Sequence, residues 1–226
     1  MTVMSLVDRE LIQGMQQRNE KRSRRRKDAR PSELLDAALE EFAERGFGNA
    51  TIDGIARRAD VARGTVYLYF KDKDALFDGL MRRRLTDPLE RMDAALDSFE
   101  GASETLLKML FTKLYEDAGD KEAITVLRVL AAEGNRFPHL VQLHHDRIMR
   151  VGMGFLQKII VRGVERGEFA PHAAETDMRV LIAPAIMTLF WRMVFSKVAD
   201  IDHEKILEGH LQVVLNGIRQ RPNDVL

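Results

Sequence analysis

Cysteine is absent from the 226 residues, which removes disulfides, thiolate nucleophiles and every Cys-ligated zinc site. Aromatic residues make up only 7% and proline only six positions. No segment of useful length alternates apolar and polar residues, so a sheet has little to be built from. Long uncharged apolar runs are also missing. The opening MTVMSLVDREL places Asp8, Arg9 and Glu10 where a signal peptide needs its apolar stretch, so a soluble cytoplasmic protein with no membrane contact is expected. What remains is 45% hydrophobic and 31% charged, with Leu, Ala, Arg, Glu and Met at helical spacings. That composition predicts an all-α fold of about nine helices with an apolar core.

The overall charge is zero, 35 basic against 35 acidic residues, yet the distribution is uneven. Arg18 to Arg30 holds eight basic and two acidic residues, among them Arg22, Arg24, Arg25, Arg26 and Lys27. Residues 1–73 stand at net +3 and the remainder at −3. A basic run of this kind points to a polyanion near the N-terminus, with the arginines adding phosphate or minor-groove contacts; a solvated tail is the bland alternative.

Helical periodicity begins at Pro31, with Ser32 as expected N-cap and Leu34, Leu35, Ala38, Leu39, Phe42 and Ala43 on one face; Gly46 closes the helix. Thr51 caps a second helix, a third runs from about Arg63 to Phe70, and a fourth starts near Lys73. Three short helices joined by tight turns form a helix-turn-helix layout. From Asp74 to Phe99 a long helix is expected, kinked or divided at Pro88. Further helices are expected at about 102–117, 121–134, 139–166, 175–198 and 203–219.

Ile55, Ala56, Ala59, Val61 and Val66 fall where two crossing helices must touch. Arg63, Gly64 and Thr65 open the third helix, whose N-terminal end would enter the major groove: Arg63 to reach guanine or phosphate, Gly64 to let backbone approach, Thr65 to offer a hydroxyl and a methyl. Tyr67 and Tyr69 can each present a phenol to phosphate. Lys73 adds its charge to the positive end of the fourth helix, a phosphate clamp.

Thr51, Ile55, Ala56, Ala59, Val61, Gly64, Thr65, Tyr67, Tyr69, Phe70 and Lys73 stand at the spacings of the DNA-binding signature of the TetR family of transcriptional repressors, which this stretch resembles. Ala37, Ala38, Phe42, Gly46 and Phe47 extend the likeness upstream. Two positions depart from it. Asp60 replaces the usual turn glycine, which Asp tolerates because it visits the left-handed region. Gly54 lies inside the second helix, where glycine weakens a helix by about 1 kcal/mol.

The resemblance implies a basic extension at 1–29, a DNA-binding domain at 30–88 with its helix-turn-helix at 51–70 and Thr51 among its DNA contacts, and an effector-binding and dimerisation domain at 89–226. It implies a homodimer joined through the last two helices, about 175–219, a pseudo-palindromic double-stranded DNA operator, and release by a small-molecule effector. Phe111, Tyr115, His144, Met149, Met153, Met187 and Trp191 are the candidate pocket residues, flexible Met side chains suiting an adaptable wall. Pro184 bends its helix and makes room beside them. His139, His144 and His145 are spaced five and one apart, which does not bring two imidazoles onto one face, so no metal and no cofactor is expected. His172, His203 and His210 read as surface or interface positions. With no activated nucleophile, metal-ligand spacing or phosphate loop, an enzyme is not expected. The rival readings are a helical enzyme retaining a relic head and a ligand-independent activator.

Overall fold

In the computed structural model, which describes residues 30–220, hydrophobic side chains collect into two cores rather than one. The Arg22–Lys27 run lies outside the described residues. The first core joins the helix over residues 30–49 (α1), α2 (Ile52–Arg58), α3 (Arg63–Tyr67) and α4 (Lys73–Met81) to Val126 and Val129 of α7 (Lys121–Glu133) and Leu140 of α8 (Pro138–His144). The second is formed by α5 (Asp87–Ala95), α6 (Ser103–Ala118), α9 (Arg150–Glu165), α11 (Met178–Phe195) and α12 (His203–Ile218), with the one-turn α10 (His172–Glu175) against them. No strand is present among the described residues, only one antiparallel bridge between Phe169 and Arg219. α7 and α8 thus lie between the two cores, contributing Val126, Val129 and Leu140 to the first while α7 also packs on α6 and α11.

Several helix starts follow their sequence signals. The side chains of Thr51, Asp72, Asp120, Asp177 and Asp202 each accept a backbone N–H in the first turn of α2, α4, α7, α11 and α12. Ser32 is not a cap, because the helix already includes residue 30; its hydroxyl and carbonyl are instead both 3.2 Å from Arg83 Nη1. Gly46, at φ 71°, turns the chain before one last helical turn closed by Ala50 N–H to the Gly46 carbonyl at 3.2 Å.

Two long helical runs pass from one core to the other, and each does so through a π turn. Arg82–Thr86 joins α4 to α5 and His145–Met149 joins α8 to α9. Pro88, which lacks an N–H and would crowd the carbonyl four residues back, sits in the first turn of α5 directly after the first π turn. The turns pack together, and the buried Thr86 hydroxyl donates to the Arg147 carbonyl at 3.3 Å.

Candidate nucleic-acid interface and internal cavity

The turn between α2 and α3 is held by backbone geometry. Asp60 has φ 51°, Val61 N–H bonds the Ala56 carbonyl at 3.0 Å, and Asp60 N–H bonds that of Arg57 at 3.3 Å. This pair of bonds is a Schellman closure around a left-handed residue, the role glycine usually fills. Val61 then folds back on the first core, and Val66, fully buried, anchors α3 beneath its exposed face.

That face carries Arg63, Gly64, Tyr67, Leu68 and Tyr69, all exposed. Arg63 bonds Asp53 at 3.1 Å and the Tyr67 hydroxyl at 3.2 Å, and its guanidinium lies 5.6 Å from the Tyr67 ring centre. These contacts hold an arginine and a phenol side by side in solvent, oriented but accessible. A Cβ built on Gly64 would meet nothing within 4 Å. No internal contact explains a glycine there, although glycine weakens a helix.

Gly54 is the opposite case. A Cβ there would collide with the Glu41 carboxylate. Glu41 is 1% exposed and bonds Arg58 Nε at 2.8 Å and Thr51 N–H at 3.4 Å, with Arg45 at 3.5 Å. Burial pushes its pKa up, but those hydrogen bonds and charges outweigh burial and hold it below the ordinary value. The second-helix glycine is thus a packing requirement, and Glu41, which one acidic letter in a charged helix does not reveal, is the group it accommodates. Thr51, expected at the DNA, directs its oxygen to Gly54 N–H at 2.9 Å as a cap.

Lys73 is likewise engaged within the protein. Its Nζ donates to the carbonyls of Phe47 and Gly48 at 2.7 and 3.3 Å and lies over the Phe47 ring. The N–H groups of the same two residues donate to Glu133, at 2.6 and 2.8 Å. Glu133 closes α7, so the turn between α1 and α2 is gripped from α4 on one side and from α7 on the other. Glu133, too, was not legible in the sequence, because its partners lie some 85 residues away.

Behind the head, α6, α7, α11, the end of α8 and the second π turn line a partly open cavity of about 200 Å³, walled almost wholly by aliphatic side chains such as Leu114, Val126, Ile148 and Leu189. Of the expected pocket residues, His144 and Met149 line it. Phe111 and Tyr115 do not: both are buried in the second core against His210. Met153 packs against the same core. Met187 and Trp191 line a separate surface groove between α11 and α12. His210 corrects the sequence reading, for it is 5% exposed, stacked on Phe111, with Nε2 at 2.8 Å from the Leu181 carbonyl and Nδ1 at 3.2 Å from the Tyr115 hydroxyl. Both the cavity and this core site favour a neutral imidazole: burial lowers the pKa of His144 to about 4 and lowers that of His210. His139 pairs with Asp74 at 2.6 Å, and His172 meets the Gly217 carbonyl at 2.9 Å.

Along α11, Val180, Ile186, Met187, Phe190 and Val194 stay exposed, continued by Val213 of α12. The helix has the length and apolar composition of a membrane span, but sits within a helical bundle with one face uncovered.

Comparison with known proteins agrees with this geometry. Residues 34–80 match the family model described as bacterial regulatory proteins, tetR family, and residues 105–215 match that of the AefR-like transcriptional repressor C-terminal domain. The chain is 29% identical over 146 residues, 63% of its length and 73% of the relative's, to the fatty acid metabolism regulator protein of Bacillus subtilis (strain 168). It is 26% identical over 202 residues, 87% of its length and 95% of the relative's, to the HTH-type transcriptional repressor KstR2 of Rhodococcus jostii (strain RHA1). Among solved structures it resembles the transcriptional regulator FadR from Bacillus subtilis in complex with stearoyl-CoA, with a TM-score of 0.66 and 25% identity, covering 83% of this chain and 99% of that one.

Proposed function

This chain belongs to the TetR family of transcriptional regulators, and from that premise we propose that it is a cytoplasmic repressor that binds a pseudo-palindromic operator as a homodimer and is released by a small apolar effector. The observation that carries the reading is the α3 face: an oriented Arg63–Tyr67 pair beside a glycine with no internal reason to be one. Arg63 and Thr65 read base edges, Tyr67 and Tyr69 contact phosphate, and Lys73 sets the turn that presents the helix and leaves its charge near the backbone. Thr51 acts by capping α2.

One short recognition helix reads few bases, so a second copy must supply another half-site about 34–36 Å away or a multiple of that. The uncovered α11 face and Val213 of α12 are the surface for that copy, since an apolar strip on a two-helix edge is complementary to itself about a two-fold axis. The cavity is the effector site; its aliphatic wall suits an apolar group, as the stearoyl chain of the stearoyl-CoA in complex with the FadR relative is. Because the cavity is walled by both cores, an occupant that fits better when they are apart shifts the dimer away from its DNA-competent spacing, by the difference in its affinity for the two states.

The test is a band shift with the DNA upstream of the protein's own gene, at fixed salt, alongside sedimentation. A dimer mass, a retarded band and about tenfold weaker binding by Tyr67→Ala with unchanged stability are expected. A folded protein that retards no DNA overturns the reading.

A further inference from the structure

The cavity wall has one group able to hydrogen-bond an occupant without giving up a partner of its own. His144 projects among aliphatic side chains and its ring makes no hydrogen bond among the described residues. The one carboxylate in the wall among the described residues, Asp117, is 7% exposed and sits 2.5 Å from Lys113. Among the described residues no cationic side chain lines the cavity to neutralise an anion. A charge brought here loses its hydration and gains no counter-charge, and a carboxylate also meets Asp117.

Resting on the reading of this cavity as the effector site, we infer that it selects an uncharged, mainly apolar molecule whose single hydrogen-bonding group meets His144, and that it rejects the same chain ending in a carboxylate. A neutral imidazole serves that role because it can donate from one nitrogen and accept at the other, so an alcohol, a phenol or a neutral ester carbonyl all find a partner. His144 is then the specificity-determining residue. It stands at the end of α8, where the chain enters the π turn, so a ligand held there touches the passage between the cores.

The experiment titrates the full-length protein at pH 7.5 with 1-decanol and, separately, with decanoate, followed by calorimetry and by release of upstream DNA in the band shift. Decanol is expected to bind at least tenfold more tightly than decanoate and to release the DNA. His144→Leu is expected to narrow that ratio by lowering decanol affinity several-fold, with DNA binding in the absence of ligand unchanged. Leu127→Trp, which fills the cavity, is a second variant expected to lose decanol binding. Decanoate binding as well as decanol, equal decanol affinity in His144→Leu, or no binding of either probe overturns the inference. Each of these outcomes leaves the regulator reading intact so long as the wild-type protein still retards its DNA, whereas absence of that band strikes the reading itself.

Discussion

Two glycines in the head look alike as letters and differ in what surrounds them. Gly54 yields to the Glu41 carboxylate, while Gly64 faces open space. The same substitution should therefore have opposite effects. Gly64→Ala is expected to raise stability by about 0.5–1 kcal/mol, the helix-propensity difference, and to weaken operator binding by tenfold or more. Gly54→Ala is expected to destabilise the protein by about 1–3 kcal/mol through overpacking. Urea midpoints and band shifts on the two variants check both; a Gly64→Ala protein that binds DNA normally would remove the close-approach argument. The signature residues of α3 were legible because they stand at the spacings of a family pattern written in neighbouring letters. Glu41 and Glu133 were not, since each takes its meaning from backbone N–H groups or arginines elsewhere in the chain.

Most helix positions were legible at the scale of the element. Apolar periodicity, the Thr51 cap and the glycine and proline breaks placed most of these helices close to where they appear, while the acidic caps at Asp72, Asp120, Asp177 and Asp202 emerge from the structure. The π turns were not, because one additional residue in a turn alters neither composition nor periodicity enough to register, and Pro88 hinted at only one of them. Their pairing gives Thr86 a definite task. Thr86→Val keeps shape and removes the donor to the Arg147 carbonyl. That variant is expected to lose about 0.5–1.5 kcal/mol, the net worth of one intramolecular hydrogen bond, measured by thermal or urea unfolding. No loss would mean that water replaces the hydroxyl and that the two turns are not tied through it. The α7 helix shows how an element gains a role by position: Ala123 and Val126 wall the cavity while Glu133, at its end, grips the turn between α1 and α2. One rigid helix thus spans from cavity to head.

At the scale of the whole molecule, acid acts on histidine before it acts on carboxylates. His144 has a pKa near 4 in the fold against 6.5 when exposed, and His210 is lowered in the same sense. The unfolded chain then binds more protons than the fold between these values, so stability is complete above about pH 6.5 and declines as pH falls towards 4. The decline from His144 is on the order of 3 kcal/mol at its limit. Glu41, Glu104, Glu168 and Asp177, each held below its ordinary value, add their own losses only at lower pH. Urea midpoints at pH 7.5 and pH 5 are expected to differ in this direction, with a smaller difference in His144→Leu; a midpoint independent of pH over that range would contradict a buried neutral imidazole. The neutral net charge, 35 against 35, conceals the basic run near the N-terminus and says nothing against a polyanion partner.

The sequence by itself determined the helical class, the helix-turn-helix and the side chains it turns outward. Periodicity, caps and exposed polar residues are local properties, written in neighbouring letters. Only the tertiary structure decided that α7 and α8 share a core with the head, that the cavity is walled by His144 and Met149 rather than Phe111 and Tyr115, and that His210 is interior. Those outcomes depend on which helix faces meet across 30 to 100 residues of chain, and close packing, not local preference, settles that choice.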